Sequence, residues 1–380
     1  MTVSVKSQRG VHPASGELDR VPAVGALLAR LGLGEFEENS VDSRPGRNDI
    51  WCGTTTTGAS VFVKRMTGDP FDIQQRTRRL LSFETALRAF FPFPRESGAA
   101  LDAPRLLGHD AEAAVFAFTR VTDGEPGNDL MIERRLDEDT ARRCGRAVAH
   151  LHSLRPGEAA QLDDSVPLFP SLKLLEGIPD TMFDLLGTAE LQMWRLLQTD
   201  DELRGAVARL LRREREAPRV PVHCDLRLDQ FLIAGEHLTL TDWEELRLGD
   251  PARDVGAFIG ECLYRSVLDI VSARGEVDFT AASLTVEDVL RRGVERIRAR
   301  QPLMAAFTAG YAQGRPGRDP RLAARAAAFA GWHLIDRMIA TAHFRPRLLG
   351  IERAAAGIGR TALLDPDRFA GSLGLEPLLN

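Results

Sequence analysis

Three oxygen-bearing side chains are spaced along one short stretch of the chain, RVPVHCDLRLDQFLIAGEHLTLTDW (219–243). Asp225 follows His223 and Cys224 at the end of an apolar strand (Val220, Val222). Gln230 lies five residues further on, and Asp242 lies 17 residues past Asp225, behind the strand Leu238-Thr239-Leu240. A hairpin turning at Ala234-Gly235-Glu236 brings a carboxylate at its start and another at its end to the same edge. An amide oxygen at the base of its first strand joins them. Carboxylate, amide and carboxylate are hard oxygen ligands, a set that suits Mg²⁺ with phosphate rather than zinc. Such a loop can orient a hydroxyl with one Asp while the other holds a metal that bridges phosphates.

Other polar residues read as scaffold. A strand-end histidine such as His223 more often hydrogen-bonds backbone than acts as a base. Asp254, after Gly249-Asp250-Pro251, is placed to cap the helix VGAFIGECL, and Asp250 shares that role. His150 and His152 stand at i,i+2 on a helix, where side chains do not face one another, so they are core or loop histidines rather than a metal pair. The four cysteines form no CxxC pair, which argues against a zinc knuckle or a disulfide framework. The arginine-rich run RRGVERIRAR (291–300) reads as a solvated helix face.

The elements that must position these groups follow from pattern. Residues 1–20 are polar and unpatterned, and VPAVGALLARLGL (21–33) is helix-like. The text GRNDIWCGTTTTGASVFVKRM (46–66) suits strands with turns at Gly53 and Gly58. The segment 72–91 carries a helical stripe of Leu80, Phe83, Leu87 and Phe90. Residues 103–121 read as a hairpin around His109-Asp110. After that the chain is mostly helical, beginning with 136–154, which Asp137 is placed to cap. Two or three helices are expected over 172–216, and helices return from about 254.

Composition bounds the class. At 380 residues the chain exceeds one ordinary domain of about 100–200 residues, so two lobes are expected. Hydrophobic residues at 44% and charged residues at 27% exclude disordered and collagen-like classes. A net charge of −5 argues against a general nucleic-acid binder. No apolar run approaches the ~18 residues of a membrane span, and the first 20 residues hold no signal-peptide core. The expectation is a soluble cytoplasmic protein. Of 49 basic residues only three are lysines, and Lys64 is the only one between residues 7 and 172.

HCDLRLDQFL followed by LTLTDWEELRLGDPARD resembles the catalytic and metal loops of the aminoglycoside phosphotransferase and choline kinase superfamily, relatives of the protein kinases. Val61-Phe62-Val63-Lys64 resembles the strand whose lysine pairs with nucleotide phosphates. HLHSL and GDPARD fit the same superfamily, and the resemblance covers about residues 46–260. It implies that Asp225 receives the substrate hydroxyl proton and that Asp242 is the principal Mg²⁺ ligand. Arg227 would neutralise the transferring phosphoryl group, and Lys64 would hold ATP phosphates with Glu84 as its acid. Gln230 falls on a metal-binding Asn and departs from it by one methylene. The Gly-rich phosphate loop is replaced by WCGTTTTG, so amides near Gly53 and threonine hydroxyls are expected to do its work.

The implied fold is α+β, two-lobed and protein kinase-like: an N-terminal extension and helix (1–40), a small β-rich lobe (41–121) and a large helical lobe (122–380). The adenine of ATP would lie against the connector near Thr119 and Val121. Within the superfamily, GTTTTGASVFVKR, HCDLRLDQFL and LTDWEELRLGDPARDVGAF are similar to the kinase subunit of class V lanthipeptide synthetases. That likeness implies a Ser or Thr of a ribosomal precursor peptide as acceptor, with lyase or cyclase partner subunits. The alternatives are a kinase of a small hydroxylated molecule, such as an aminoglycoside or amino alcohol, and a pseudokinase that only binds a partner. No nucleic-acid or membrane partner is expected.

Overall fold

The computed structural model describes residues 21–38, 40–44, 46–91, 101–156, 162–273, 276–277, 286–315 and 317–379; the polar segment 1–20 lies outside them. Five antiparallel strands make the small-lobe sheet: β1 (Asp42–Arg44), β2 (Asp49–Thr54), β3 (Ser60–Arg65), β4 (Leu106–Asp110) and β5 (Val115–Thr119). Their spatial order is β1-β2-β3-β5-β4. Alternation along β3 decides what each face carries. Val61 and Val63 are buried with Val24, Leu27 and Leu28 of helix α1 (Pro22–Arg30), which covers the outer face. Phe62 and Lys64 take the opposite face, with Lys64 opposite Ile50 on β2 and Phe116 on β5.

Helix α2 (Pro70–Ala86) lies between β3 and β4 in sequence. Asp69 caps it by accepting the Phe71 and Asp72 amides at 2.9 and 3.3 Å, and Pro70 opens its first turn. Leu80 and Phe83 of the expected stripe are buried, whereas Phe90 falls beyond the helix and is exposed. Phe83 stacks on Trp243, ring centroids 4.3 Å apart, which ties α2 to the loop after Asp242. The hairpin expected around His109-Asp110 turns slightly later, at 111–114, where Ala114 takes φ 53°.

The large lobe opens with β6 (Glu125–Pro126), α3 (Gly127–Ile132) and α4 (Glu138–Ser153). Asp137 caps α4 by accepting the Thr140 amide at 2.8 Å, as the sequence leads one to expect. Four helices follow, α5 (Leu172–Glu176), α6 (Asp180–Phe183), α7 (Thr188–Gln198) and α8 (Asp201–Arg215), because Gly177, Pro179 and Gly187 divide the span into more pieces than expected. Then β7 (Val220–Val222), the hairpin β8 (Phe231–Ala234) and β9 (His237–Leu240), and β10 (Arg247–Gly249) build the site. β7 pairs with β10, and β8 lies between β6 and β9. Gly235 turns the hairpin at φ 55°.

The lobe ends with α9 (Ala252–Leu268), α10 (Val286–Gly314), α11 (Leu322–Ala342), α12 (Gly350–Leu364) and α13 (Pro366–Ser372). α4 and α10 cross closely enough that a Cβ on Gly145 would stand 2.0 Å from the Phe307 carbonyl oxygen, and one on Gly310 2.1 Å from that of Arg142. No helix among the described residues is long and apolar enough to cross a membrane.

Candidate active site

Lys64 reaches from near the end of β3 across to the β9 end of the hairpin. Its ammonium bonds Asp242 Oδ1 and stands 2.5 Å from Glu244 Oε2. Burial works against that charge, but Asp242 and Glu244 outweigh it and hold the Lys64 pKa above the usual lysine value. Asp242 is likewise penalised by burial, yet Lys64 brings its carboxyl below the usual range, so it is ionised at neutral pH. Its backbone is left-handed, φ 71°, which turns the carboxylate out of the strand direction.

A second buried layer stands behind Glu244. Asn48 Nδ2 donates to it at 3.2 Å, and Arg76 Nη1 lies 3.4 Å away. Arg76, fully buried on α2, also donates to Asn48 Oδ1 at 2.8 Å, to Asp72 at 2.9 Å and to the Thr67 carbonyl at 2.6 Å. Glu84 stands elsewhere: its carboxylate is held by Arg88, four residues on and just past the helix end, at 2.9 and 3.0 Å. The acid on Lys64 is therefore Glu244 and not Glu84. The i,i+4 partner is nearer to Glu84, and the α2 position facing the lysine pair carries Arg76 instead.

Asp225 follows Cys224, which is also left-handed at φ 66°. Burial pushes the Asp225 carboxyl up; Arg227 opposes this and the neighbouring charge of Asp242 adds to it, leaving the pKa above the ordinary Asp value. Arg227 Nε stands 4.0 Å from Asp225 and 3.5 Å from Asp229. Arg337, on α11, also bears on Asp225 and pulls its pKa down. Burial pushes the Cys224 thiol up to about 12, so it is no thiolate at neutral pH.

Gln230 sits in the 3₁₀ turn Leu228–Gln230. Its Oε1 accepts the Arg227 amide at 3.0 Å, and its Nε2 stands 3.5 Å from Asp225 Oδ2. The Arg227 N–H fixes which end of the amide faces it, since a donor there requires the oxygen. The oxygen that the sequence assigned to metal is thus already an acceptor within the loop.

Asp254 holds the loop from below. It lies inside the first turn of α9 rather than capping it, and accepts the His223 amide at 2.7 Å and the Cys224 amide at 2.9 Å. His152 Nε2 meets it at 3.1 Å, while His152 Nδ1 meets the Tyr311 hydroxyl at 2.8 Å. His223 Nε2 donates to the Thr241 carbonyl at 2.9 Å, which joins the Asp225 end of the hairpin to the Asp242 end. Asp250 accepts the Ala252 amide at 2.9 Å and pairs with Arg325. These histidines and acids are scaffold, and Asp254 supports the loop, not the helix end.

The threonine turn does not stand open. Thr57 Oγ1 donates to the Leu33 carbonyl at 3.0 Å, Thr56 Oγ1 accepts the Glu35 amide at 3.2 Å, and Thr55 and Thr57 hydroxyls share a bond at 3.1 Å. Three of the four hydroxyls are thus engaged by the preceding segment or by each other. Thr119 ends β5 with its hydroxyl on the Arg105 amide at 2.9 Å, and Val121 is half-buried in the connector. Sequence reasoning missed Asn48, Arg76, Glu244 and Arg337. The only signal was Glu244 itself, two residues past Asp242; nothing in the spacing marked the other three.

Asp242 presents an ionised, partly exposed carboxylate suited to Mg²⁺, and among the described residues no three His, Cys, Asp or Glu side chains converge as a metal cage. That pattern fits an ion held by one or two protein oxygens together with phosphates. The family model described as "Phosphotransferase enzyme family" matches residues 50–279, which include Lys64, Asp225 and Asp242. The chain belongs to this family. It is a phosphotransferase, a kinase by class.

Solved structures carry the same two-lobed, protein kinase-like α+β fold. A choline/ethanolamine kinase family protein from Mesorhizobium loti has a TM-score of 0.51 at 18% identity, over 94% of this chain and 99% of that one. Choline kinase LicA from Streptococcus pneumoniae gives 0.53 at 15%, over 92% and 99%. Ethanolamine kinase from Plasmodium vivax gives 0.52 at 14%, over 88% and 84%. No curated protein matches the chain in sequence.

Proposed function

We propose that this phosphotransferase moves the γ-phosphoryl group of ATP to an alcohol in the cleft between β3 and the β8–β9 hairpin. Asp225 takes the hydroxyl proton as the oxygen–phosphorus bond forms and ADP leaves. Its pKa is displaced upward, the direction that makes a carboxylate a better proton acceptor. Arg227 neutralises the moving phosphoryl group, and Lys64, kept on Glu244, holds the phosphates. Asp242 would hold Mg²⁺, which would supply charge neutralisation to the phosphates. The observation that carries this reading is the meeting of Lys64 and Asp242, from different lobes, beside Asp225.

The acceptor we infer is a Ser or Thr hydroxyl of a ribosomal precursor peptide, passed on to a lyase or cyclase partner. The motif wording quoted above supports it. The surrounding charge is mixed: Arg227 and Arg337 bear on Asp225, while Asp229, Asp242 and Glu261 bear on Arg227. A quaternary ammonium is recognised by aromatic cages, yet Trp51, Trp194, Trp243 and Trp332 are all buried. A small amino alcohol is the second reading, favoured by the names of the similar structures. ADP release should be followed with Mg²⁺-ATP and, separately, a Ser/Thr-rich peptide, choline and ethanolamine. Turnover with the peptide alone is expected. Turnover with choline or ethanolamine alone overturns the peptide acceptor, and none with any alcohol favours a partner-binding role.

A further inference from the structure

Away from the cleft, α7, the turn before α12 and the start of α12 flank an open surface pocket of about 630 Å³. It shares no residue with the transfer site. Arg195, Arg347 and Arg353 line it, with Gln192 and the apolar Leu196 and Leu348, and no acidic side chain is in its wall. Elsewhere in this acid-rich chain, guanidinium groups beside these helices are committed: Arg360 of α12 is bound by Asp200 and by Glu202 at 2.6 Å, and Arg325 by Asp250 at 2.6 Å. Acids on α7 and α12 are committed as well. Glu190 accepts the Gly187 amide at 2.8 Å and meets His343 at 3.1 Å. Glu352 accepts the Leu349 amide at 3.0 Å and faces Arg345 at 3.8 Å. Neither is turned to the three pocket arginines.

Arg195, Arg347 and Arg353 are exposed, so solvent screens their mutual repulsion, but an anion between them would meet three guanidinium forks, which match phosphate oxygens two at a time. The volume is far more than a bare ion needs and falls within the roughly 300–1,000 Å³ of organic-ligand sites. The leucines offer an apolar wall to the body of such a ligand. We propose that this pocket binds a phosphorylated small organic molecule, at a site separate from the transfer cleft.

The test uses the full chain, with fructose 1,6-bisphosphate, inorganic pyrophosphate and a hexaglutamate peptide as calorimetric probes. Fructose 1,6-bisphosphate is expected to bind, and to bind equally to the Lys64→Ala protein, whose cleft is disabled. The Arg195→Ala/Arg347→Ala/Arg353→Ala protein should lose at least about tenfold in affinity, the worth of one charge-assisted hydrogen bond. Its stabilisation by Mg²⁺-ATP should stay as in wild type, showing that the fold and the cleft are intact. Unchanged affinity in the triple variant, or no binding of the bisphosphate, overturns the proposal. Binding of pyrophosphate alone removes its organic part. Preference for hexaglutamate replaces it with a docking surface for acidic peptide.

Discussion

Lys64 and Glu244 form a buried ion pair at 2.5 Å that joins the central strand of the small lobe to the loop of the large one. Both side chains are under a tenth exposed, and Arg76 and Asn48 complete the acid's surroundings. Losing a partner outright leaves an uncompensated buried charge, at a cost of about 3–5 kcal/mol. Glu244→Gln leaves Lys64 with Asp242 and Arg76 with Asp72, so it should lower stability in urea unfolding by less than that, on the order of 1–3 kcal/mol. Glu84→Gln should change it by less than about 1 kcal/mol, because its partner Arg88 is a sequence neighbour four residues on and both groups keep some contact with water. Equal effects would show that the lysine leans on α2 after all.

Nucleotide should stabilise the folded chain by mass action. Mg²⁺-ATP is expected to raise the melting temperature of wild type, and Lys64→Ala to lose most of the rise. Asp225→Asn should keep the rise while cutting transfer about 10²–10⁴-fold. An Asp225→Asn enzyme within a few-fold of wild type would remove Asp225 from the chemistry.

The raised pKa of Asp225 fixes the direction of a pH effect. The carboxylate is the working form, so kcat/KM should fall as pH drops through a value above the ordinary ~4 of Asp. Arg337 pulls that pKa down, and so do Arg227 and His223, whereas Asp242 pushes it up. Arg337→Met should accordingly move the acidic limb to higher pH. A pH–rate profile of the two proteins decides it, and a limb that stays put separates Arg337 from the base.

What the sequence made legible was local. The HCD…Q…TD spacing on a hairpin, the lone Lys64 in an arginine-writing chain and the cap Asp137 are each short-range patterns. Their placement followed from alternation and turn chemistry. The residues that escaped notice act over long range: Arg76 and Glu244 are 168 positions apart, and Asn48 and Glu244 are 196 apart. No periodicity links such positions. Glu84 looked like the lysine's acid because it lies on the flank of the right helix, but helix facing also requires an unsatisfied charge, and Arg88 already satisfies it. Asp254 looked like a cap because it stands near a helix start. Only the crossing of α9 beneath β7 shows that the unpaired amides it answers are those of His223 and Cys224.

Gly145 bears on the same scaffold from the other side. A methyl there meets the Phe307 carbonyl oxygen at 2.0 Å and the Tyr311 amide nitrogen at 2.8 Å, both backbone atoms that cannot turn aside. Gly145→Ala should force α4 from α10, costing at least about 1–3 kcal/mol by overpacking. Because Tyr311 positions His152 against Asp254, activity per folded molecule should fall too. Denaturant unfolding with parallel rate measurements would show a stability loss alone if the Tyr311–His152–Asp254 chain has no bearing on Asp225.

Gln230 poses the sharpest question, because its oxygen has two candidate uses. As a metal ligand it must stand about 2.0–2.1 Å from Mg²⁺ in a nearly octahedral shell. In the structure it instead accepts the Arg227 amide, while its nitrogen approaches Asp225. The extra methylene relative to Asn is what lets the side chain fold back on the loop that carries it. Its work is then to hold Arg227 and Asp225 in register, and on the proposed reading Asp242 would be the main protein ligand of the ion. Gln230→Ala should lower kcat through a loosened loop and leave the Mg²⁺ concentration for half activity within about twofold of wild type. Gln230→Asn should behave alike, since the shorter amide no longer reaches the Arg227 N–H. A Mg²⁺ titration of transfer rate at saturating ATP separates the two uses. A half-activity concentration raised severalfold in both variants would return the oxygen to the metal.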